Sequence, residues 1–350
     1  MSTLASDPLL GRIFGDPEIT ALTGSEAWVS RMLEVEAAYS RALSLAGRVP
    51  VEIGTAASAA IRGLRLDMEA ISEGMARDGV ALPSLLRQIR ASLPEDLHPA
   101  IHRGLTSQDV MDTALALCLK SVIPIFGTRI ERVISVLDDL SDRFGSRPLM
   151  ARTRMQAAME ITVADRIAAW LHPLPDLRDG LSRLSPKLLR LQFGGAVGNR
   201  NIDAADAINA AFADLLDLSP MSRAFHTDRT ALVEFGGWLS LVTGSLGKIG
   251  QDIALMAQQG VDDISLRGGG GSSAMPHKQN PVGAEVLITL ARFNAAQLGG
   301  LHQALVHEQE RSGAAWSLEW LILPRMMEVT GRALTLADEV LCQVESIGQR

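Results

Sequence analysis

In the stretch opened by Asp228, the apolar residues Leu232, Phe235, Leu239, Val242, Leu246, Ile249, Ile253 and Met256 follow one another at alternating steps of three and four without a miss. That spacing puts all of them on one face of an α-helix. Two further segments repeat it: Leu115, Leu119, Val122, Phe126, Ile130, Val133, Leu137 and Leu140, then Leu287, Ala291, Asn294, Leu298, Leu301 and Leu305. Thirty residues of helix reach about 45 Å, more than a compact domain needs, and such helices are most simply stabilised by packing in a bundle. Composition agrees: aromatics are 4% of the chain, with one tyrosine, Tyr39, whereas strands favour aromatic and β-branched residues. The expected class is all-α. Pro124 predicts a kink in the first long segment, because proline removes a helical hydrogen bond.

Gly236, Gly237, Gly244, Gly247 and Gly250 lie inside the Asp228 segment. Each costs about 1 kcal/mol against alanine in a helix interior, so a helix that keeps five predicts close backbone approach by a neighbour. The alternative is two helices in place of one, but the apolar repeat runs through every glycine. Upstream, Thr23 and Glu26 have the spacing of a capping box, and Trp28, Met32, Val35, Tyr39 and Leu43 mark one helical face. From Pro50 to Pro99 the segments are shorter, punctuated by Gly63, Gly74, Gly79, Pro83 and Pro94. The expected organisation is a small helical N-terminal domain over residues 1–105 and a long-helix bundle domain over 106–350.

With 33 Lys and Arg against 40 Asp and Glu the net charge is −7. No nucleic-acid or membrane partner is expected, since both need a positive field. The first residues, MSTLASDPLLGRIFGDPEIT, carry acids and prolines where a signal peptide carries a basic start and an apolar core. No run of 18 uninterrupted apolar residues occurs. Cys118 and Cys342 lie far apart in apolar helical patterns with no CxxC. These features predict a soluble cytoplasmic protein with free thiols.

One stretch breaks the helical background: Leu266-Arg-Gly-Gly-Gly-Gly-Ser-Ser-Ala-Met-Pro-His-Lys-Gln-Asn-Pro281. A loop of about 15 residues is predicted, long enough to suspect a function. It lacks the GK[ST] ending of a phosphate-binding loop. As a plain connector it would offer Asn280 as N-cap and Pro281 as first residue of the next helix, which leaves Ser272 to Lys278 unexplained. Thr106 and Ser107 precede Asp109 at the start of the first long segment, where capping and anion binding can coexist. Glu285 falls in the first turn of the third, where the helix dipole favours a carboxylate. His98 and His102 stand four apart, but Pro99 between them and the lack of a third ligand argue against a zinc pair.

Gly271-Ser-Ser-Ala-Met-Pro-His-Lys-Gln-Asn-Pro281 resembles the GSSxMPxKxNP signature of the fumarase/aspartase superfamily. His102-Arg-Gly-Leu-Thr-Ser-Gln-Asp-Val-Met-Asp-Thr113 resembles its HxGxTSQDxxDT block, Arg152-Thr-Arg-Met-Gln-Ala-Ala158 its RTHxQxA block, and Gly194-Gly-Ala-Val-Gly198 a glycine turn that lies between the last two signature blocks. Order and spacing hold over roughly residues 25–340. The resemblance implies a homotetramer whose central domains form a twenty-helix core, active sites each shared by three subunits, and neither metal nor organic cofactor. Members usually continue after the bundle with a small helical domain; where this chain stops, that C-terminal domain is expected to be absent.

The superfamily's shared reaction makes or breaks a bond β to a carboxylate. It needs a base, donors aimed at the carboxylate that takes on a second charge, and a lid against water. By resemblance Ser272 is the catalytic serine, assisted by Lys278; Thr106, Ser107, Gln156, Ser273 and Asn280 bind substrate, and His102 and Glu285 support the site. Two departures narrow the branch. Lyases of succinyl adducts carry a histidine in RTHxQ where this chain has Arg154, and arginine is a poor proton donor but a strong carboxylate clamp. Nucleotide lyases hold a phosphate with a serine and an arginine where Trp316 and Trp320 stand here. Arg311-Ser-Gly-Ala-Ala-Trp-Ser-Leu-Glu-Trp320 instead resembles the RxxxAWxxEW stretch of the 3-carboxymuconate cycloisomerase branch. That branch implies lactone formation from a tricarboxylate, 3-carboxy-cis,cis-muconate or an analogue such as 3-sulfomuconate, in protocatechuate breakdown. Arg154, Lys278 and Arg311 would offset its charge, with Arg103 and Arg152 as further candidates. The alternatives are an adenylosuccinate-type lyase and a non-catalytic helical structural protein.

Overall fold

Short helices open the chain in the computed structural model, which describes residues 4–271, 275 and 278–349. They are α1 (Gly11–Phe14), α2 (Pro17–Thr23), α3 (Ser25–Leu45), α4 (Val51–Arg62), α5 (Met68–Asp78) and α6 (Leu82–Ser92). Helix α7 (Ser107–Phe144) follows, then a hairpin of β1 (Pro148–Thr153) and β2 (Gln156–Thr162), and helices α8 (Val163–Leu171), α9 (Pro173–Leu188), α10 (Ala205–Leu216) and α11 (Thr230–Met256). A short strand β3 (Ile264–Leu266), α12 (Val282–Gln303), α13 (Gly313–Cys342) and β4 (Val344–Ile347) complete it, with β3 antiparallel to β4. The protein is therefore mostly helical, as expected, with four short strands among the described residues that the apolar pattern did not announce.

All three long segments are helices. At 38 residues, α7 is about 57 Å long, and it continues through Pro124. Helix α11 is single. It packs most extensively against α12, and two of its glycines explain how: a Cβ on Gly247 would come within 2.5 Å of Ala291 Cβ, and one on Gly250 within 2.6 Å of Ala284 O. Gly237 and Gly244 face open space, so the close-approach reading holds for part of the set. A fourth long helix, α13, was not visible in the repeat; it crosses Pro324 and packs on α7, α11 and α12.

Two local readings are corrected. Thr23 ends α2 and spends its hydroxyl on Ile19 O, while Gly24 takes the N-cap position of α3 without a side-chain bond. Asn280 is not an N-cap: it bridges Gly270 through two backbone hydrogen bonds of 2.9 and 3.0 Å, and α12 starts at Val282.

Among the described residues, buried apolar side chains form two clusters. One joins α7 beyond Leu119 to α8, α9, α11, α12 and α13. The other joins α3, α4, α5 and α6 to the first turns of α7, to α10 and to Trp316. Among the described helices α7 is long and apolar enough to cross a membrane by length and composition, but 61% of that apolar window is buried inside the protein.

Candidate active site

The start of α7 is organised by Asp109. Thr106 and Asp109 form a reciprocal capping box, and the fully buried Asp109 carboxylate also accepts Gly194 N and Gly195 N at 2.8 Å and lies 2.8 Å from His226 Nε2. Gly195 and Gly198 have φ of 70° and 79°, a backbone that favours glycine, so the glycine turn closes onto the helix end. Thr106 and Ser107 are half-buried above it. His102 sits just before this turn with φ 56°, its Nδ1 2.6 Å from Oε1 of the buried Glu36. Tyr39 donates to Arg103 O at 2.5 Å; burial, then the Glu36 charge, push its hydroxyl above the ordinary tyrosine range.

One turn further along α7, Asp112 anchors a buried polar network. Arg229 donates to Asp112 Oδ2 and Oδ1 at 2.6 and 3.1 Å and to Glu319 Oε1 and Oε2 at 2.7 and 2.6 Å. Burial works against the guanidinium charge, but Asp112 and Glu319 outweigh it and hold Arg229 above its usual range. Trp316 Nε1 donates to Asp112 Oδ1 at 3.1 Å, and Trp320 lies edge-on to Trp316 and Trp28. Gln108 links this network to Arg311: its amide donates to Asp112 Oδ2 at 3.2 Å and accepts from Arg311 Nε at 3.1 Å. A second Arg311 bond, to Ala196 O at 3.0 Å, holds that guanidinium beside the glycine turn. Gln108, Asp112, His226, Arg229 and Glu319 were not singled out from the sequence. The available signal was confined to Asp112 and Glu319, carboxylates inside otherwise apolar stretches of α7 and α13, which a fold buries only with partners; His226 and Arg229 precede α11 in irregular chain and carry no such local signal.

The other motif blocks lie past the far end of α7. Arg154 and Met155 are the two central residues of the β1–β2 turn, with φ of 49° and 68° and Thr153 opposite Gln156. Both central positions of such a turn need positive φ, which asparagine and glycine tolerate best, so Arg154 is held in the turn at a backbone cost. Its side chain and that of Gln156 are exposed, and among the described residues Arg154 has no hydrogen bond or ion pair. Arg152 is paired with Asp263 at 2.5 Å, which ties the hairpin to the base of the glycine loop. In that loop Lys278 is exposed, and Glu285 is exposed in the first turn of α12, as expected. Ser272 and Ser273 lie outside the described residues.

The structure thus brings His102, Thr106, Ser107, Arg311, Trp316 and Trp320 to one end of the bundle and Arg154, Gln156, Lys278, Asn280 and Glu285 to the other. Helix α7, about 57 Å long, runs between the two groups.

A family model described as "Lyase" matches residues 17–295. A protein of Pseudomonas aeruginosa named 3-carboxy-cis,cis-muconate cycloisomerase is 36% identical over 359 residues, covering 100% of this chain and 78% of that protein. The crystal structure of the 3-carboxy-cis,cis-muconate lactonizing enzyme from Pseudomonas putida superposes with a TM-score of 0.91 at 34% identity, over 97% of this chain and 77% of that one. The fumarate lyase from Mesorhizobium sp. superposes with a TM-score of 0.90 at 28% identity, over 97% and 78%.

Proposed function

The chain belongs to the fumarase/aspartase superfamily of lyases, as an enzyme of the branch that its cycloisomerase relatives represent, and from that membership we propose that it converts 3-carboxy-cis,cis-muconate, or a 3-substituted analogue such as 3-sulfomuconate, to the corresponding muconolactone. One substrate carboxylate adds its oxygen to the substrate's own double bond. The electron pair of that bond moves into the neighbouring carboxylate, giving an aci-carboxylate, and a proton then reaches the adjacent carbon. Ser272 delivers that proton and recovers one from water, so no redox partner or leaving group enters the balance.

The observation that carries this reading is Arg154. A lyase that expels an amine or a nucleotide needs a proton donor at this position, whereas a cycloisomerase needs charge compensation for a trianion, and an arginine that is unpaired among the described residues supplies the second and not the first. The closed Trp316–Asp112 contact supports it, because an indole whose N–H is spent on a buried carboxylate offers nothing to a phosphate.

Since Thr106, Ser107 and Arg311 lie at the opposite end of α7 from Arg154, Gln156, Lys278 and Asn280, a site that uses both groups draws on more than one chain. We assign it to three subunits of a homotetramer.

The deciding experiment follows the diene absorbance of 3-carboxy-cis,cis-muconate with purified protein. Bleaching is expected, with a lactone as product. Cleavage of adenylosuccinate without any bleaching would reverse the assignment to the nucleotide lyase reading.

A further inference from the structure

Between the β1–β2 hairpin, α8 and the last turns of α11 lies a cavity of about 700 Å³, a size that suits small organic ligands. Six charged residues line it: Arg152, Arg154, Arg166, Lys248, Asp252 and Asp263. Their pairing is unequal. Asp263 engages Arg152 at 2.5 Å, but the single Asp252 carboxylate is shared between Arg166, at 3.3 Å, and Lys248. Arg154 pairs with nothing among the described residues. Four cations against two carboxylates leave two positive charges uncompensated at one spot on a chain whose net charge is −7, and such local charge in a concave wall concentrates anions.

Lys248 is the more exposed of the two cations on Asp252. Its side chain is 59% exposed, against 20% for Arg166 and 10% for Asp252. Asp252 also accepts the indole N–H of the buried Trp170 at 2.7 Å. If the Lys248 ammonium turns to a ligand, Arg166 and Trp170 still satisfy Asp252, so the exchange leaves no buried charge unpaired.

We propose that this cavity binds a polycarboxylate, and that Lys248 is the residue through which the enzyme prefers a tricarboxylate to a dicarboxylate. The inference rests on the reading of Arg154 as a carboxylate clamp: Arg154 meets one carboxylate at the hairpin, and Lys248, on the facing helix, meets the additional one. A dicarboxylate leaves Lys248 on Asp252 and gains nothing from it.

Calorimetric titration with citrate as an unreactive tricarboxylate, and with glutarate as the dicarboxylate, tests the binding without turnover. Lys248→Met should weaken citrate binding about tenfold and leave glutarate within about twofold, a factor typical of one lost charge contact. Asp252→Asn, which releases both cations while keeping an acceptor for Trp170, should tighten citrate binding. In turnover, Lys248→Met should raise KM for 3-carboxy-cis,cis-muconate with kcat retained, the signature of lost uniform binding. Equal citrate affinity in wild type and Lys248→Met, or no citrate binding at all, overturns the proposal. If citrate binding depends on Lys248 but wild type leaves the muconate unchanged, the cavity assignment stands and the reaction assigned above fails. Turnover of the muconate with citrate affinity and KM unmoved by Lys248→Met gives the reverse.

Discussion

Trp316 donates its indole N–H to Asp112 Oδ1 at 3.1 Å, joining α13 to α7 at a carboxylate that also holds Arg229. Arg229 is 1% exposed, and Asp112 and Glu319 are 5% and 4% exposed. Arg229→Met would leave two buried carboxylates without their cation, and breaking a buried ionic cluster in this way costs about 3–5 kcal/mol. Urea denaturation of this variant should show that loss. A denaturation midpoint equal to wild type would mean the network contributes nothing.

Ser272→Ala should lower kcat by a factor on the order of 10²–10⁴, the range of general acid catalysis, with the circular dichroism spectrum and oligomeric mass unchanged. A near-normal rate would remove Ser272 from the proton transfer.

Arg154→His should raise KM for the muconate on the order of ten- to a hundredfold, since a bidentate cation is replaced by a ring that is mostly neutral at pH 8. The division of the motif blocks between the ends of α7 adds a sharper test. Thr106→Val and Arg154→Ala, each inactive alone, should regain part of the wild-type rate when unfolded together and refolded, because mixed oligomers then contain some sites with both residues intact. No recovery would place all the groups of a site on one chain.

Met155→Gly should stabilise the protein by about 1 kcal/mol. The residue is 73% exposed with φ 68°, so glycine removes a left-handed penalty on the order of 1–2 kcal/mol, less some gain in unfolded-chain entropy. A lower melting temperature would show that the Met155 side chain makes contacts worth more than that penalty.

Burial pushes the Cys118 thiol up to about 12 from 9.0. At pH 8 only about one molecule in 10⁴ carries this thiolate, so a disulfide reagent should label the exposed Cys342 of the native protein first and reach Cys118 on unfolding. The sign of the stability effect follows. The unfolded chain releases this proton near pH 9 and the fold retains it to about 12, so the contribution is complete below pH 9 and is lost as pH rises through that window. Cys118→Ala should flatten the fall in stability between pH 9 and 11; an unchanged slope would assign the fall to other groups, the buried Tyr39 among them.

Some of the local structure around the candidate site residues was legible in advance. A cap from Thr106 or Ser107 at the start of α7, the break between α11 and α12 and Glu285 on the first turn of α12 follow from residue types at short spacings. The β1–β2 hairpin was not legible, because Arg154 and Met155 carry no turn signal and accept positive φ against their preference. Helix α13 was hidden by Pro324, which the helix tolerates while packed on three neighbours. Asn280 was read as a cap because its type and position suit one; its backbone went instead to Gly270.

The sequence by itself determined that three long amphipathic helices form and that a glycine-rich loop interrupts them, because helical periodicity and capping are decided within a few residues along the chain. Only the tertiary structure decided that Arg229 meets Asp112 117 residues away and Glu319 90 residues away, and that Thr106 and Arg154 stand at opposite ends of α7. Such pairings depend on which helices pack together and on the rule that a buried charge must find its counter-charge, and neither condition is written in any local window of the chain.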